Sequence, residues 1–172
     1  TSVRDTATAL NGLAPEILQP EATLEEWEQR DERMIHDTPT LQETEKQSLI
    51  QARRGQGIFR ANVQRIETHC RITKVSRPEH LIASHCQPWR DSTNDERLDG
   101  ENGLLLTPTI DHLFDKGFIS FEGNGRLIIS PVAHRPSLIK MGIDVDHSVN
   151  VGAFSEGQRR FLDYHQENVL RM

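Results

Sequence analysis

Between residues 81 and 130 the chain never stays apolar for long before a turn-forming residue stops it. "HLIASH", "GLLLT", "GFISF" and "RLIIS" are short runs bounded by Gly, Pro, Asn or charged residues. Runs of this length and punctuation read as strands. "EGNG" (122–125), between "GFISF" and "RLIIS", is a hairpin signal, because Asn and Gly tolerate positive φ. A single helical stretch interrupts them, "PTIDHLFDK". Thr107 stands at the N-cap, Pro108 at the first helical position and Gly117 just past the end. The centre is therefore strand, loop, strand, short helix, then a hairpin, which sets an α+β fold.

Helices flank this centre. Residues 23–37 and 40–54 each open on a Thr with Glu three residues later, Thr23/Glu26 and Thr40/Glu43. Gly55 and Gly57 are expected to break the chain before a third helix over about 58–68. A last helix over about 155–170 starts at Ser155 and can dock through Phe161, Leu162, His165, Val169 and Leu170. Residues 1–22 read as extended or loop. The expected organisation is a helical extension over 1–52 and one domain over 53–172.

Composition narrows the class. The chain has 172 residues, 35% hydrophobic and 27% charged. No apolar run approaches the roughly 20 residues that span a bilayer. No basic region followed by an apolar stretch opens the chain, which begins with Thr1 as a processed chain or a fragment would. Cys70 and Cys86 form neither a CxxC pair nor a disulfide framework, so the cytoplasm is the expected compartment.

The net charge of −6 argues against a polyanion as partner, but the charge is segregated. Arg53, Arg54, Arg60, Arg65, Arg71, Lys74 and Arg77 fall within 51–77, against the single acid Glu67. Residues 16–49 hold ten acids and three basic residues. A polyanion feels the local patch more than the total. The acidic segment is a candidate shield for the basic one, or a dimer or packing surface, and the basic run taken alone describes a solvated helix face.

Asp111 and Asp115 are one turn apart on the short helix, so their carboxylates share a face. Two oxygen donors so placed suit a hard divalent cation completed by water and substrate. His112 is rotated by about 100° from Asp111 and could join that shell, face a ligand or pack. The same acidic pair also describes a solvated helix face, and His85, at the end of the first strand, alone describes an ordinary hydrogen-bonded histidine.

The order "ASHCQPW", "ENGLLLTP", "IDHLFDKGFISF" resembles the HNH endonuclease family, in the branch with N-G-L-x-L and F-D-x-G-x-I-S-F blocks. The resemblance covers about residues 53–130 and is densest over 81–121. It implies a ββα-metal core with an additional β-hairpin, N-terminal helices and a C-terminal helix. It implies a nuclease that hydrolyses DNA phosphodiester bonds, with restriction or another defence against foreign DNA as its setting. His85 would be the general base that activates water, a role suited to an imidazole pKa near 6.5. Asn102 would pin the loop between the strands. Asp111, with Asp115 or His112, would hold one divalent ion, Mg²⁺ or Mn²⁺ before Zn²⁺ or Ni²⁺. Arg53, Arg54, Arg60, Arg90 and Lys116 would contact phosphates, which supplies affinity rather than sequence choice.

The chain departs from the pattern at Ser84, where many HNH proteins carry an acidic metal ligand before the first His. A nucleic-acid-binding module with a degenerate HNH site is the alternative that this residue favours. A structural zinc domain on Cys70, His80, His85 and Cys86 has spacings unlike zinc modules. Cys86 alternates to the strand face opposite His85, which makes it a packing residue. DNA is the expected partner, no membrane is involved, and a homodimer would allow two-strand cuts.

Overall fold

The computed structural model describes residues 42–172 together with Arg33, His36, Asp37 and Pro39. The loop expected over 1–22, and most of the helix expected over 23–37, lie outside the described residues. The chain divides into two compact units, Thr1–Gln47 and Ser48–Met172.

Helix α1 runs unbroken over Glu43–Gln64. The break expected at Gly55 and Gly57 does not occur, and the separate helix over 58–68 is the second half of α1. A glycine inside a helix costs about 1 kcal/mol against alanine, but it does not forbid the helix. Burial of Phe59 and Val63 offsets that cost, since each such side chain contributes about 1.5–3 kcal/mol.

Strands β1 (Ile82–His85) and β2 (Gly103–Leu106) pair antiparallel, with Ile82 opposite Leu106 and His85 opposite Gly103. The connection over 86–102, expected as loop, contains a short helix α2 (Asn94–Leu98). Its signal is present in the chain. Thr93 caps the helix and Glu96 reaches back to the Thr93 N–H, a reciprocal capping box.

Helix α3 (Pro108–Asp115) follows β2 directly. Ile110, Leu113 and Phe114 are buried, at i, i+3 and i+4, which leaves Asp111, His112 and Asp115 on the remaining surface. Thr107 holds the N-cap position, but its side chain makes no cap bond. The hydroxyl is directed to the Cys70 sulfur instead, at 4.0 Å. Gly117 leaves the helix with φ +72, and a Cβ there would lie 2.0 Å from the Val169 carbonyl oxygen. This glycine is therefore required both by its backbone and by its neighbour.

Strands β3 (Ile119–Phe121) and β4 (Leu127–Ile129) form the expected hairpin, a second two-stranded sheet separate from β1–β2. The turn takes its positive φ at Gly125 alone, Asn124 keeping an ordinary backbone. Helix α4 (Arg135–Lys140) was not foreseen. Helix α5 (Glu156–Asn168) was, with a Ser155/Gln158 capping box and Phe161, Leu162 and His165 buried.

His165 joins α5 to the centre. Its Nε2 bonds the Phe114 carbonyl at 3.0 Å, its Nδ1 the Ser120 hydroxyl at 2.9 Å, and its ring stacks on Phe114. A carbonyl only accepts, so Nε2 carries the proton and Ser120 donates to Nδ1. The neutral imidazole is fully satisfied. Burial pushes its pKa down to about 4. The unfolded chain therefore binds a proton near pH 6.5 that the native state refuses until about pH 4. Stability is full above the unfolded value and falls as pH drops through that window, by up to about 1.4 kcal/mol per pH unit. Urea midpoints of the wild type should fall from pH 6.5 to 4 more steeply than those of His165→Gln. Parallel pH profiles for the two proteins would refute this assignment.

Candidate active site

His85 closes β1 and is supported on several sides. Its Nε2 lies 2.9 Å from the Arg97 carbonyl oxygen. Its ring stacks flat on Phe59, with centroids 3.6 Å apart and planes within 6°. Trp89 meets it edge-on at 5.8 Å. Because the carbonyl can only accept, the hydrogen of the neutral ring sits on Nε2. Nδ1 then carries the lone pair, and no hydrogen-bond partner engages it among the described residues. Burial pushes the imidazole pKa below its ordinary value, and the bond to Arg97 opposes that shift in part. The ring is thus a neutral base of fixed tautomer over the physiological range.

Asn102 is fully buried, and its side chain ties together the loop that carries Arg97. Its Oδ1 accepts from the Gln87 N–H at 2.8 Å, and its Nδ2 donates to the Glu96 carbonyl at 3.0 Å. Ser92 adds to the same loop by donating to the Gln87 and Pro88 carbonyls. Gly103 follows for a steric reason. A Cβ there would sit 2.4 Å from Val63 and 2.7 Å from the tip of Phe59, the ring on which His85 stacks. A Cβ at Gly100 would meet the Asn62 carbonyl oxygen at 2.5 Å. These two glycines let α1 lie against the site.

The other face of the hairpin meets α3. Ser84 precedes His85, and successive strand residues point to opposite faces. The Ser84 side chain is near enough to the Asp111 carboxylate to favour its charged form. Partial burial, and then the charge of Asp115, push the Asp111 carboxyl above the usual carboxylate range, Ser84 opposing them. A half-buried carboxylate with a second one a turn away is an anion in want of a cation. Its donors are oxygens, which suits a hard divalent ion with water in the remaining positions. His112, on a different side of α3, is exposed and lies 6.4 Å from the Phe118 ring. Asp115 is exposed and pairs with Lys116 at 3.1 Å. Among the described residues, no three His, Cys, Asp or Glu side chains converge as a preformed metal cage. Asp111 has Ser84 beside it, and both Asp115 and His112 are near enough to act on its charge.

Cys86, just past β1, is fully buried in the hydrophobic core, and burial pushes its thiol far up. It packs, as the sequence reading expects. Cys70 is also a buried free thiol.

The basic residues separate into two kinds. Arg60 is bonded to the Leu81 carbonyl at 2.8 Å and to the Pro78 carbonyl, which ties α1 to the turn before β1. Arg90 is 81% exposed beside the His85 loop, 3.5 Å from Asp91. Lys116 is exposed at the end of α3, and Arg54 is exposed on α1. Arg53 lies in α1, its side chain outside the described set.

Sequence reasoning missed Phe59, Asn62 and the Arg97 carbonyl as parts of the site. Only the Thr93/Glu96 capping box hinted that the loop past His85 would be ordered.

A family model described as HNH endonuclease matches residues 70–122. That span contains β1, β2, α3 and β3, and with them His85, Asn102 and Asp111. No curated protein matches the chain. No helix among the described residues is long and apolar enough to cross a membrane.

Proposed function

We propose that the protein is a divalent-metal-dependent endonuclease that hydrolyses DNA phosphodiester bonds, with His85 as general base. The observation that carries the proposal is the His85 Nε2 to Arg97 carbonyl bond, which fixes the tautomer and leaves Nδ1 as an available base.

The hairpin supports an in-line displacement. His85 projects to the α1 side of β1, and its neighbour Ser84 to the α3 side, next to Asp111. In this reading a phosphate binds at the end of β1 between the base and the carboxylate, so that attack and departure at phosphorus lie on opposite sides. His85 takes the proton of the attacking water. Asn102 keeps the loop, and hence the Arg97 carbonyl, in place. Asp111, with the Ser84 hydroxyl and with Asp115 a turn away, would hold one ion, Mg²⁺ or Mn²⁺ by the hardness of the donors. When bound, such an ion supplies positive charge to the phosphoryl oxygens and the leaving 3′ oxygen. Arg53, Arg54, Arg90 and Lys116 contact the backbone of the duplex, whereas Arg60 serves from within by holding the start of β1. The proposed setting is restriction or related defence in the cytoplasm, with a homodimer for two-strand cuts; the resemblance to HNH nucleases supports it.

Supercoiled plasmid incubated with Mg²⁺ or Mn²⁺ should be nicked, and EDTA should stop the reaction. Asp111→Asn should raise the metal concentration needed for half-maximal cleavage by about tenfold or more. If no DNA is cut with Mg²⁺, Mn²⁺, Zn²⁺ or Ni²⁺ while a gel shift persists, the reading passes to a binding module whose site is degenerate at Ser84.

A further inference from the structure

Resting on the nuclease reading, we infer that helix α1, which precedes the family-matched segment, is part of the catalytic apparatus, with Phe59 and Asn62 as positioning residues for His85. A single hydrogen bond from Nε2 fixes one direction of an imidazole and leaves its plane free to swing. The flat contact with Phe59 removes that freedom, at 3.6 Å and 6° between planes. Phe59 is buried and cannot retreat, held in the core that Val63 shares. Its place exists because Gly103, the strand partner of His85, has no side chain there.

Asn62 acts on the other end of the same bond. Its Nδ2 donates to the Leu98 carbonyl at 2.8 Å, one residue beyond the carbonyl that receives His85. Gly100 lets the two segments approach. The same helix passes near Trp89, where a Cβ built at Gly55 would come within 3.8 Å of the indole. Trp89 meets the edge of His85, and Arg97 lies over its indole and donates to its carbonyl. The face of the imidazole and the backbone beside its acceptor are therefore both referred to one helix. Geometry of this kind matters to a base, because a displacement of about 1 Å costs about 100-fold in rate.

The test compares Phe59→Leu and Asn62→Ala with Phe161→Leu, an equally buried phenylalanine of α5 used as a packing control. Steady-state cleavage of plasmid DNA is measured beside the NMR signal of the His85 Cε1–H at alkaline pH, where the ring is neutral. Phe59→Leu is expected to lower kcat by about 10–100-fold with KM unchanged. It should also move the Cε1–H signal downfield, as the shielding of the stacked ring is lost. Phe161→Leu should lower the melting temperature and leave both readouts alone. A Phe59→Leu protein with normal kcat and an unmoved signal, or a Phe161→Leu protein that reproduces both changes, overturns the inference. If Phe59→Leu does not fold, Asn62→Ala decides. A loss of kcat at constant KM supports the positioning role, and unchanged kinetics overturn it. A wild-type protein that cuts no DNA sinks the nuclease reading instead, and the His85 signal in Phe59→Leu then decides the positioning by itself.

Discussion

Alanine in place of His85 is expected to lower the turnover number on plasmid DNA by about 10²–10⁴-fold, with DNA affinity unchanged. A positioned general base contributes about that factor. His85 meets the requirements for the role on structural grounds. The Arg97 carbonyl fixes the tautomer, the ring is flat against Phe59, and Nδ1 has no protein partner among the described residues. The pH profile provides a second signature. Burial moves the imidazole below its ordinary value of 6.5, so the wild-type rate should fall on the acid side only below that pH. The acid limb belongs to His85 and should vanish from the residual activity of the variant. Initial nicking rates across pH, with circular dichroism to establish that the variant is folded, measure both effects. A folded alanine variant within a few-fold of wild type removes His85 from the chemistry.

Glu67→Ala is expected to destabilise the Ser48–Met172 unit by about 3–5 kcal/mol, the cost of removing one partner from a buried ion pair. Glu67 is 4% exposed and lies just past the end of α1. Its carboxylate accepts from Arg71 Nη2 at 2.6 Å, Arg71 Nε at 2.9 Å and Gln158 Nε2 at 2.8 Å. Arg71 also donates to the Gly152 and Ala153 carbonyls and lies 4.0 Å over the Phe154 ring. The Glu67–Arg71 pair thus joins the end of α1, the loop at 152–153 and the first turn of α5. Without it, the Arg71 charge stays half-buried with only neutral acceptors, and the Gln158 amide loses its acceptor in the core. The urea midpoint should fall with the slope unchanged. A loss below about 1 kcal/mol would show that the hub is dispensable, as exposed pairs often are.

Both residues differ in how far a sequence reading reaches them. His85 is visible because it ends an apolar run and falls in a patterned order with Asn102 and Asp111. Glu67 is visible only as the single acid in a basic segment. Nothing local says that Gln158, ninety-one positions later, completes its shell. Arg60 shows the same limit from the other side. In sequence it belongs to a basic track for phosphates, whereas in the fold two carbonyls before β1 hold it. Gly55 and Gly57 read as a break, because propensity is local; the buried face of α1 outweighs it.

The chain by itself determined its strands, the β3–β4 turn, the short helix with Asp111 and Asp115, and the capped start of α5. Each depends on residues within a turn or a strand of one another, where apolar period, caps and glycine conformations act. Tertiary structure alone decided what surrounds the imidazole: a phenylalanine from α1, a carbonyl from the loop and a glycine opposite. Those contacts are set by helix packing across the hairpin. Close packing selects neighbours by shape in space, a quantity that spacing along a sequence does not carry.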